Sequence, residues 1–314
     1  MPVAIHDDEP KEDFPELSSR DQAAYPTPDH FRVKNIPPAA YYVPDFITRD
    51  EEGFLLKRLG ETPQPKWKIM SSGRRLHYWG GNVSKKGVLL PEPLPDFLTA
   101  FPDIIQRIET FLDRTLGRDD ASCSDGTTEH MLGINQVLVN EYGPGDGISP
   151  HEDGPAFRPL VVTLSLGSHT VLDLHQYLSY TSPSPPMTAT PSSDLQDSTE
   201  GRPIAAVPFA HVLLMPRSLL VLSSSLYASH LHGISARTED FVSSSSSPVS
   251  ASASGGVVIA NADLIGDPEV GDALRDAGSW RGIRGTRTSL TFRHAEKVLK
   301  GGALGLIHGA LRRG

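Results

Sequence analysis

The stretch Asn140-Glu141-Tyr142-Gly143-Pro144-Gly145-Asp146-Gly147-Ile148-Ser149-Pro150-His151-Glu152-Asp153-Gly154 decides how the chain is read. A histidine and a carboxylate, His151 and Asp153, stand two residues apart in it. A second histidine follows far downstream, in His232-Gly233-Ile234. Two histidines and one carboxylate are the donor set that holds non-haem Fe(II) with coordination positions left open. In a strand, residues i and i+2 point to one face, so His151 and Asp153 can reach one metal. A lone His-x-Asp also arises by chance, and two polar loop residues are the competing reading.

Working outward, the next informative segment is Arg287-Thr288-Ser289-Leu290-Thr291-Phe292-Arg293. Read as extended, it puts Arg287, Ser289, Thr291 and Arg293 on one face and Thr288, Leu290 and Phe292 on the other. Buried guanidinium groups need an anion, and arginine suits bidentate recognition of a carboxylate. A dicarboxylate bound beside the metal would supply that anion. An exposed edge strand with two solvated arginines is the alternative. Asn140 and Tyr142 are likewise i and i+2, ahead of the metal loop. Their amide and phenol can hydrogen-bond carboxylate oxygens, or they are ordinary sheet residues.

In this order, Asn140-x-Tyr142-x-Pro144-Gly145, His151-x-Asp153, His232-Gly233-Ile234 and Arg287-x5-Arg293 resemble the AlkB family of Fe(II)/2-oxoglutarate dioxygenases. The finer resemblance is to the sixth AlkB homologue subfamily of eukaryotes. It is carried by residues 135–142, 150–155, 165–173, 216–222 and 284–287, and it runs from about Tyr41 to about Leu299 with two interruptions. The resemblance implies His151, Asp153 and His232 as metal ligands and catalytic centre. His230 competes with His232, and the His-Gly-Ile context favours His232. It implies Asn140, Tyr142, Arg287, Ser289 and Arg293 as co-substrate residues. Arg287 would take the distal carboxylate of 2-oxoglutarate. Arg293 would sit nearer the metal, on the other carboxylate or on Asp153. Ser289 stands where family members carry an amide side chain. His169, His175 and His211 read as strand-end or core histidines. The cofactor implied is Fe(II), with 2-oxoglutarate and O2 as co-substrates. The reaction implied is hydroxylation of an N-methyl group, which then leaves as formaldehyde.

Composition fits a soluble enzyme, one large domain or two small ones over 314 residues. No run of about 20 apolar residues exists, so no membrane span is expected. The N-terminus lacks the basic and apolar regions of a secretory signal. Cys123 is the only cysteine, which excludes an internal disulfide and a zinc–thiolate cluster and fits a cytoplasmic or nuclear location. Residues 1–30 carry eight acids against two bases, which is most of the net charge of −9. The body is therefore near neutral, and bulk charge argues against strong nonspecific binding to nucleic acid.

The expected organisation is a disordered acidic tail over 1–38, one catalytic domain over 39–299 and a basic, glycine-rich tail over 300–314. Serine-rich stretches at 179–203 and 243–256 read as flexible insertions between strands. Order is expected to begin near Tyr41. Thr48 and Glu51 form a capping-box pattern that opens a helix through about Leu59. A second helix is expected over about Asp96–Leu116, with Pro102 disturbing its first turns. Strands are expected at Ile134–Tyr142, Leu160–Leu166, Thr170–Leu174, His211–Met215, Ser218–Leu222, Val257–Ala260 and Arg287–Arg293. Short strands with Gly, Pro and Ser punctuation suggest a sandwich or barrel. The resemblance narrows the fold class to α+β, mainly β: a double-stranded β-helix (jelly roll) core with flanking N-terminal helices.

Residues 66–86 interleave basic and aromatic side chains, including Trp67, Arg74, Arg75, Tyr78, Trp79, Lys85 and Lys86. Cations for phosphates and rings for bases suit a nucleic-acid strand. A solvated hairpin with core tryptophans is the competing reading. By resemblance this is the nucleotide-recognition lid. The leading function is oxidative demethylation of alkylated nucleic acid, with single-stranded or damaged DNA or RNA as partner and a monomer as the assembly. The alternatives are a protein side-chain hydroxylase or demethylase of the same chemistry, and a catalytically quiet nucleic-acid-binding module.

Overall fold

A computed structural model describes residues 28–34, 36–37, 40–117, 130–178, 202–244 and 256–299. Most of the expected acidic tail, most of both serine-rich insertions, Cys123 and the 300–314 tail lie outside the described residues. The described fold starts ahead of Tyr41, because two apolar side chains there find the core. Phe31 packs edge-on to Phe111 at 6.0 Å, and Val33 is buried with its N–H donating to the Ala40 carbonyl at 3.0 Å.

The helices are α1 (Arg49–Gly60), α2 (Asp96–Thr99), α3 (Ile104–Leu116), α4 (Ser224–Ala228) and α5 (Pro268–Asp272). The capping box is formed: Glu51 N donates to Thr48 Oγ1 at 3.2 Å, and Thr48 N donates to Glu51 Oε2 at 2.7 Å. The expected second helix is divided in two. Pro102 has no N–H to continue it, and Asp103, at φ 53°, starts α3 as its N-cap.

The first strands are β1 (Ala40–Val43), β2 (Lys68–Ile69), β3 (Arg75–Trp79), β4 (Gly81–Val83), β5 (Val88–Pro91) and β6 (Gln136–Tyr142). Then come β7 (Ile148–His151), β8 (Leu160–Gly167), β9 (Thr170–Gln176), β10 (Ala210–Leu214), β11 (Leu219–Ser223) and β12 (His230–Ile234). The last are β13 (Glu239–Ser243), β14 (Val257–Val258), β15 (Ser279–Ile283), β16 (Arg287–Arg293) and β17 (Lys297–Val298). A seven-stranded sheet runs β1-β11-β8-β16-β6-β3-β2, and a four-stranded sheet runs β10-β9-β12-β7. Together they make the mainly β, jelly-roll core. Among the described residues no helix is long and apolar enough to cross a membrane.

Alternation along the large sheet builds two cores. Val137, Val139, Leu164, Leu290 and Phe292 face the helices and pack with Leu55, Ile108 and Phe111. Val161, Leu220 and Leu222 face the small sheet and meet Leu172, Leu174 and Leu214. β16 lies fourth of seven strands, paired to both β6 and β8, and all its residues are buried. The edge-strand alternative is thereby excluded. Arg287, Ser289, Thr291 and Arg293 are held on the face opposite Leu290 and Phe292, between the two sheets.

Candidate active site

One cavity between the sheets is lined by Asn140, Tyr142, His151, Asp153, His232, Arg287, Ser289 and Thr291, with Arg74 beside them. His151 and His232 are direct partners across β7 and β12. Opposed side chains on neighbouring antiparallel strands lie about 5 Å apart, and these two rings stand 4.5 Å apart, centroid to centroid. β7 ends at His151, so Asp153 comes from the loop beyond it, not from the strand assumed for the His-x-Asp pattern. The alternation persists all the same. Glu152 turns out to solvent, where Tyr177 donates to it at 2.9 Å, while the Asp153 side chain is 6% exposed.

Four features suit these three side chains to a divalent metal. Asp153 Oδ2 is buried without a hydrogen-bond partner. It lies 3.8 Å from His232 Nε2. The His151 Nδ1 is 2.9 Å from the Ser149 carbonyl, which calls for a proton on Nδ1 and leaves Nε2 a bare acceptor. Burial pulls the His232 imidazole down to about 4, against the opposing pull of Asp153, so it is neutral and able to ligate at pH 7. Asp153 Oδ1, in turn, accepts from Arg293 Nη1 at 3.0 Å, and the Arg293 guanidinium lies 4.3 Å from the Phe157 ring. His230 is engaged elsewhere: its Nδ1 is 2.7 Å from the Ser225 carbonyl, and its ring packs on Phe209.

The other end of the cavity is cationic. Arg287 is 4% exposed, its Nε has no hydrogen-bond partner, and Nη2 donates to Ser165 Oγ at 3.0 Å. No carboxylate among the described residues pairs with it. Burial pulls this guanidinium down to about 10, yet it is still charged at neutral pH. Burial raises the Tyr142 phenol, partly offset by Arg287 and Arg74, so the hydroxyl is protonated and can donate. Register explains the grouping, because β16 lies against β6 with Arg287 opposite Tyr142 and Ser289 opposite Asn140. A carboxylate held here would satisfy an orphaned cation. Ser165, which accepts from Arg287, and Tyr227, whose hydroxyl donates to the Gly154 carbonyl at 3.0 Å, are neighbours of the candidate site that sequence reading did not assign to it. Ser165 opens the 165–173 stretch that carries the family resemblance, whereas Tyr227 lies in no such stretch.

The residues of the 66–86 segment separate by face. Arg75 sits on the helix side, paired to Glu141 at 2.7 and 2.9 Å, with its guanidinium 4.4 Å from the Trp67 ring. Trp79 is in the helix-side core, edge-on to Phe97 at 5.2 Å. Trp79 is therefore largely buried, while Arg75 stays partly exposed and paired to Glu141. Tyr78 points the other way, opposite the cavity residue Leu138. It also lines a groove with Lys66 and Lys68. Lys85 and Lys86 are exposed at the β4–β5 turn. Arg74 is 8% exposed and inside the cavity, away from solvent.

Outside this cavity, Glu109, Asp113 and His130 bring potential ligand atoms within 4.8 Å of one another. Asp113 accepts from Met131 N and pairs with His130, and Glu109 accepts from Ile134 N. They fasten the segment leading into β6 onto α3.

No protein-family model matches the chain. The "Probable RNA/DNA demethylase ALKBH6" of Danio rerio is 35% identical over 272 residues, 87% of this chain and 92% of that protein. The "tRNA (carboxymethyluridine(34)-5-O)-methyltransferase ALKBH8" of Macaca fascicularis is 29% identical over 85% of this chain, which spans 32% of that longer protein. Among solved structures, "The structure of OsALKBH1" covers 82% of this chain and 98% of that one, at 15% identity and a TM-score of 0.43.

Proposed function

Because the chain belongs to the AlkB family of Fe(II)- and 2-oxoglutarate-dependent dioxygenases, we propose that it demethylates alkylated nucleic acid, using His151, Asp153 and His232 to hold the metal and Arg287 to hold the co-substrate. One observation carries the site assignment. A buried guanidinium with no anion stands in the same cavity as two histidines and a carboxylate with an unpartnered oxygen.

Fe(II), 2-oxoglutarate and O2, when bound, supply the oxidation of a substrate C–H bond. The chain's own groups fix where it happens. His151 offers Nε2 because Ser149 occupies its other nitrogen. Asp153 offers Oδ2 because Arg293 occupies Oδ1. Tyr142 donates from a phenol kept protonated by burial. Leu138, Val161, Leu172 and Leu220 make apolar cavity walls that exclude water from the reacting carbon. One cavity would thus offer nitrogen and oxygen donors suited to Fe(II) and, further along it, a guanidinium suited to the distal carboxylate of 2-oxoglutarate.

Nucleic acid as substrate is supported by the Danio rerio relative's name and by a groove lined by Tyr78, Lys66 and Lys68 together with Glu92 and Asp96, where the Lys68 ammonium lies 5.7 Å from the Tyr78 ring. Cations and an accessible ring suit a single strand. The test is succinate and formaldehyde release by the Fe(II)-loaded protein, offered N-methylated single-stranded oligonucleotides, duplexes and N-methylated peptides. Release with single strands is expected. Release with peptides alone would overturn the nucleic-acid assignment and leave the chemistry standing.

A further inference from the structure

The cavity holds a second buried guanidinium that the co-substrate set read from the sequence does not include. Arg74 directly precedes β3, in the hairpin that β2 and β3 form. It reaches the cavity because Gly73, at φ 88°, lets the hairpin lie against the 143–147 loop. A Cβ built there would collide with the Asp146 carboxylate. Arg75 pairs with Glu141 across β3 and β6, so Arg74 comes one step further along, beside Tyr142. Its guanidinium is 5.9 Å from the Tyr142 ring, and that of Arg287 is 5.6 Å from the same ring. Two buried guanidinium groups thus lie within 6 Å of the one Tyr142 ring.

Arg74 Nη1 donates a short hydrogen bond to Asn140 Oδ1, and the guanidinium also hydrogen-bonds the Tyr142 phenol. Arginine only donates, so the Asn140 atom that faces it is the oxygen, and the amide N–H2 is left free to donate to a carboxylate. Arg74 Nε has no partner, and no carboxylate among the described residues pairs with Arg74. Two charged groups buried together and unanswered are costly. A single carboxylate between them, taking one fork from each, relieves both.

We infer that Arg74 is a second guanidinium for the distal carboxylate of the co-substrate, so that co-substrate binding fastens the β2–β3 hairpin over the cavity. The inference rests on the proposed 2-oxoglutarate site and adds a residue and a consequence.

Calorimetry on Mn(II)-loaded full-length protein tests it, with 2-oxoglutarate and with 2-oxopentanoate, which keeps the chelating end and has a methyl in place of the distal carboxylate. Arg74→Gln is expected to weaken 2-oxoglutarate about 10–100-fold, the worth of a charged hydrogen bond, and to leave 2-oxopentanoate unchanged. Equal 2-oxoglutarate affinity in variant and wild type, with Arg287→Gln still impaired, would overturn the role of Arg74 alone. Equal losses for both ligands would also overturn it, by making Arg74 structural. No 2-oxoglutarate binding to wild type would remove the site itself. Amide exchange on the unmodified protein decides the matter if Arg74→Gln does not fold. 2-Oxoglutarate should slow exchange over residues 70–76 and 2-oxopentanoate should not, and an identical response to the two would overturn the inference.

Discussion

Arg293 donates to Asp153 at 3.0 Å with both side chains 6% exposed, so the loop carboxylate is aimed by a strand that does not carry it. β16 is fixed in the middle of the large sheet, whereas Asp153 lies beyond the end of β7. The guanidinium holds one oxygen and presents the other. Arg293→Gln should therefore weaken Mn(II) binding about 10–100-fold, the usual effect of removing a partner that orients a ligand. Electron spin resonance titration of Mn(II) reads this directly. Undiminished affinity would show that Asp153 orients itself.

The choice between the two histidines of β12 is open to a paired test. Asp153→Ala and His232→Ala should each abolish tight Mn(II) binding. His230→Ala should leave it intact, since His230 is already held by Ser225 and Phe209. Loss in His230→Ala with a normal melting curve would reverse the assignment.

Arg287 gives a prediction with two opposite signs. Without a bound anion its buried charge is a cost to the fold. Arg287→Met should raise the melting temperature of the ligand-free protein by a few degrees. It should also abolish the further rise that 2-oxoglutarate gives wild type. A variant that melts lower and still responds to 2-oxoglutarate would place Arg287 outside the pocket's chemistry.

Asp173 answers to acid. It is 3% exposed, His211 Nδ1 lies 2.7 Å from Oδ1, and Ser235 Oγ donates to Oδ2 at 2.6 Å. Burial pushes its carboxyl up, but these hydrogen bonds win and hold it below the usual 3.8. A lowered folded-state value stabilises above the unfolded value, and the gain is lost as pH falls through the folded one. Asp173→Asn should cost about 1–3 kcal/mol at pH 6. The gap to wild type in urea midpoints should narrow below pH 4. A gap that stayed constant would rule out linkage through this group.

Trp79 is a core residue, so Trp79→Ala should cost about 3–5 kcal/mol in denaturant. A stable Trp79→Ala protein with impaired binding to single strands would return the ring to the substrate.

What could be read from the sequence was what alternation and order encode. Arg287-x-Ser289-x-Thr291-x-Arg293 sorts its faces by itself, and Leu290 and Phe292 say which face is core. The capping box at Thr48 is equally local. β12 escaped because His230-Leu231-His232-Gly233-Ile234 has too few apolar residues for a strand pattern, and its pairing with β7 and β9 is what makes it extended. The basic and aromatic run at 66–86 looked like one surface. In fact β3 is an inner strand, paired to β6 on one side and β2 on the other, and it sends Arg75 and Trp79 to the helices while Tyr78 faces the small sheet. Nothing local in the sequence indicates that the hairpin turn brings Arg74 against Asn140.

The central position of β16 also bears on how the molecule is born and how it fails. Ser289 lies opposite Asn140, so the pairing closes a very long excursion of chain, the kind of event that comes late and slowly in folding. Until it happens, Arg287 and Arg293 are solvated side chains, and no partly assembled intermediate can possess the cavity. Once formed, β16 has neighbours on both sides and cannot fray from an edge. Its amides should exchange only through global opening, and competence for 2-oxoglutarate should disappear in one step with the whole sheet.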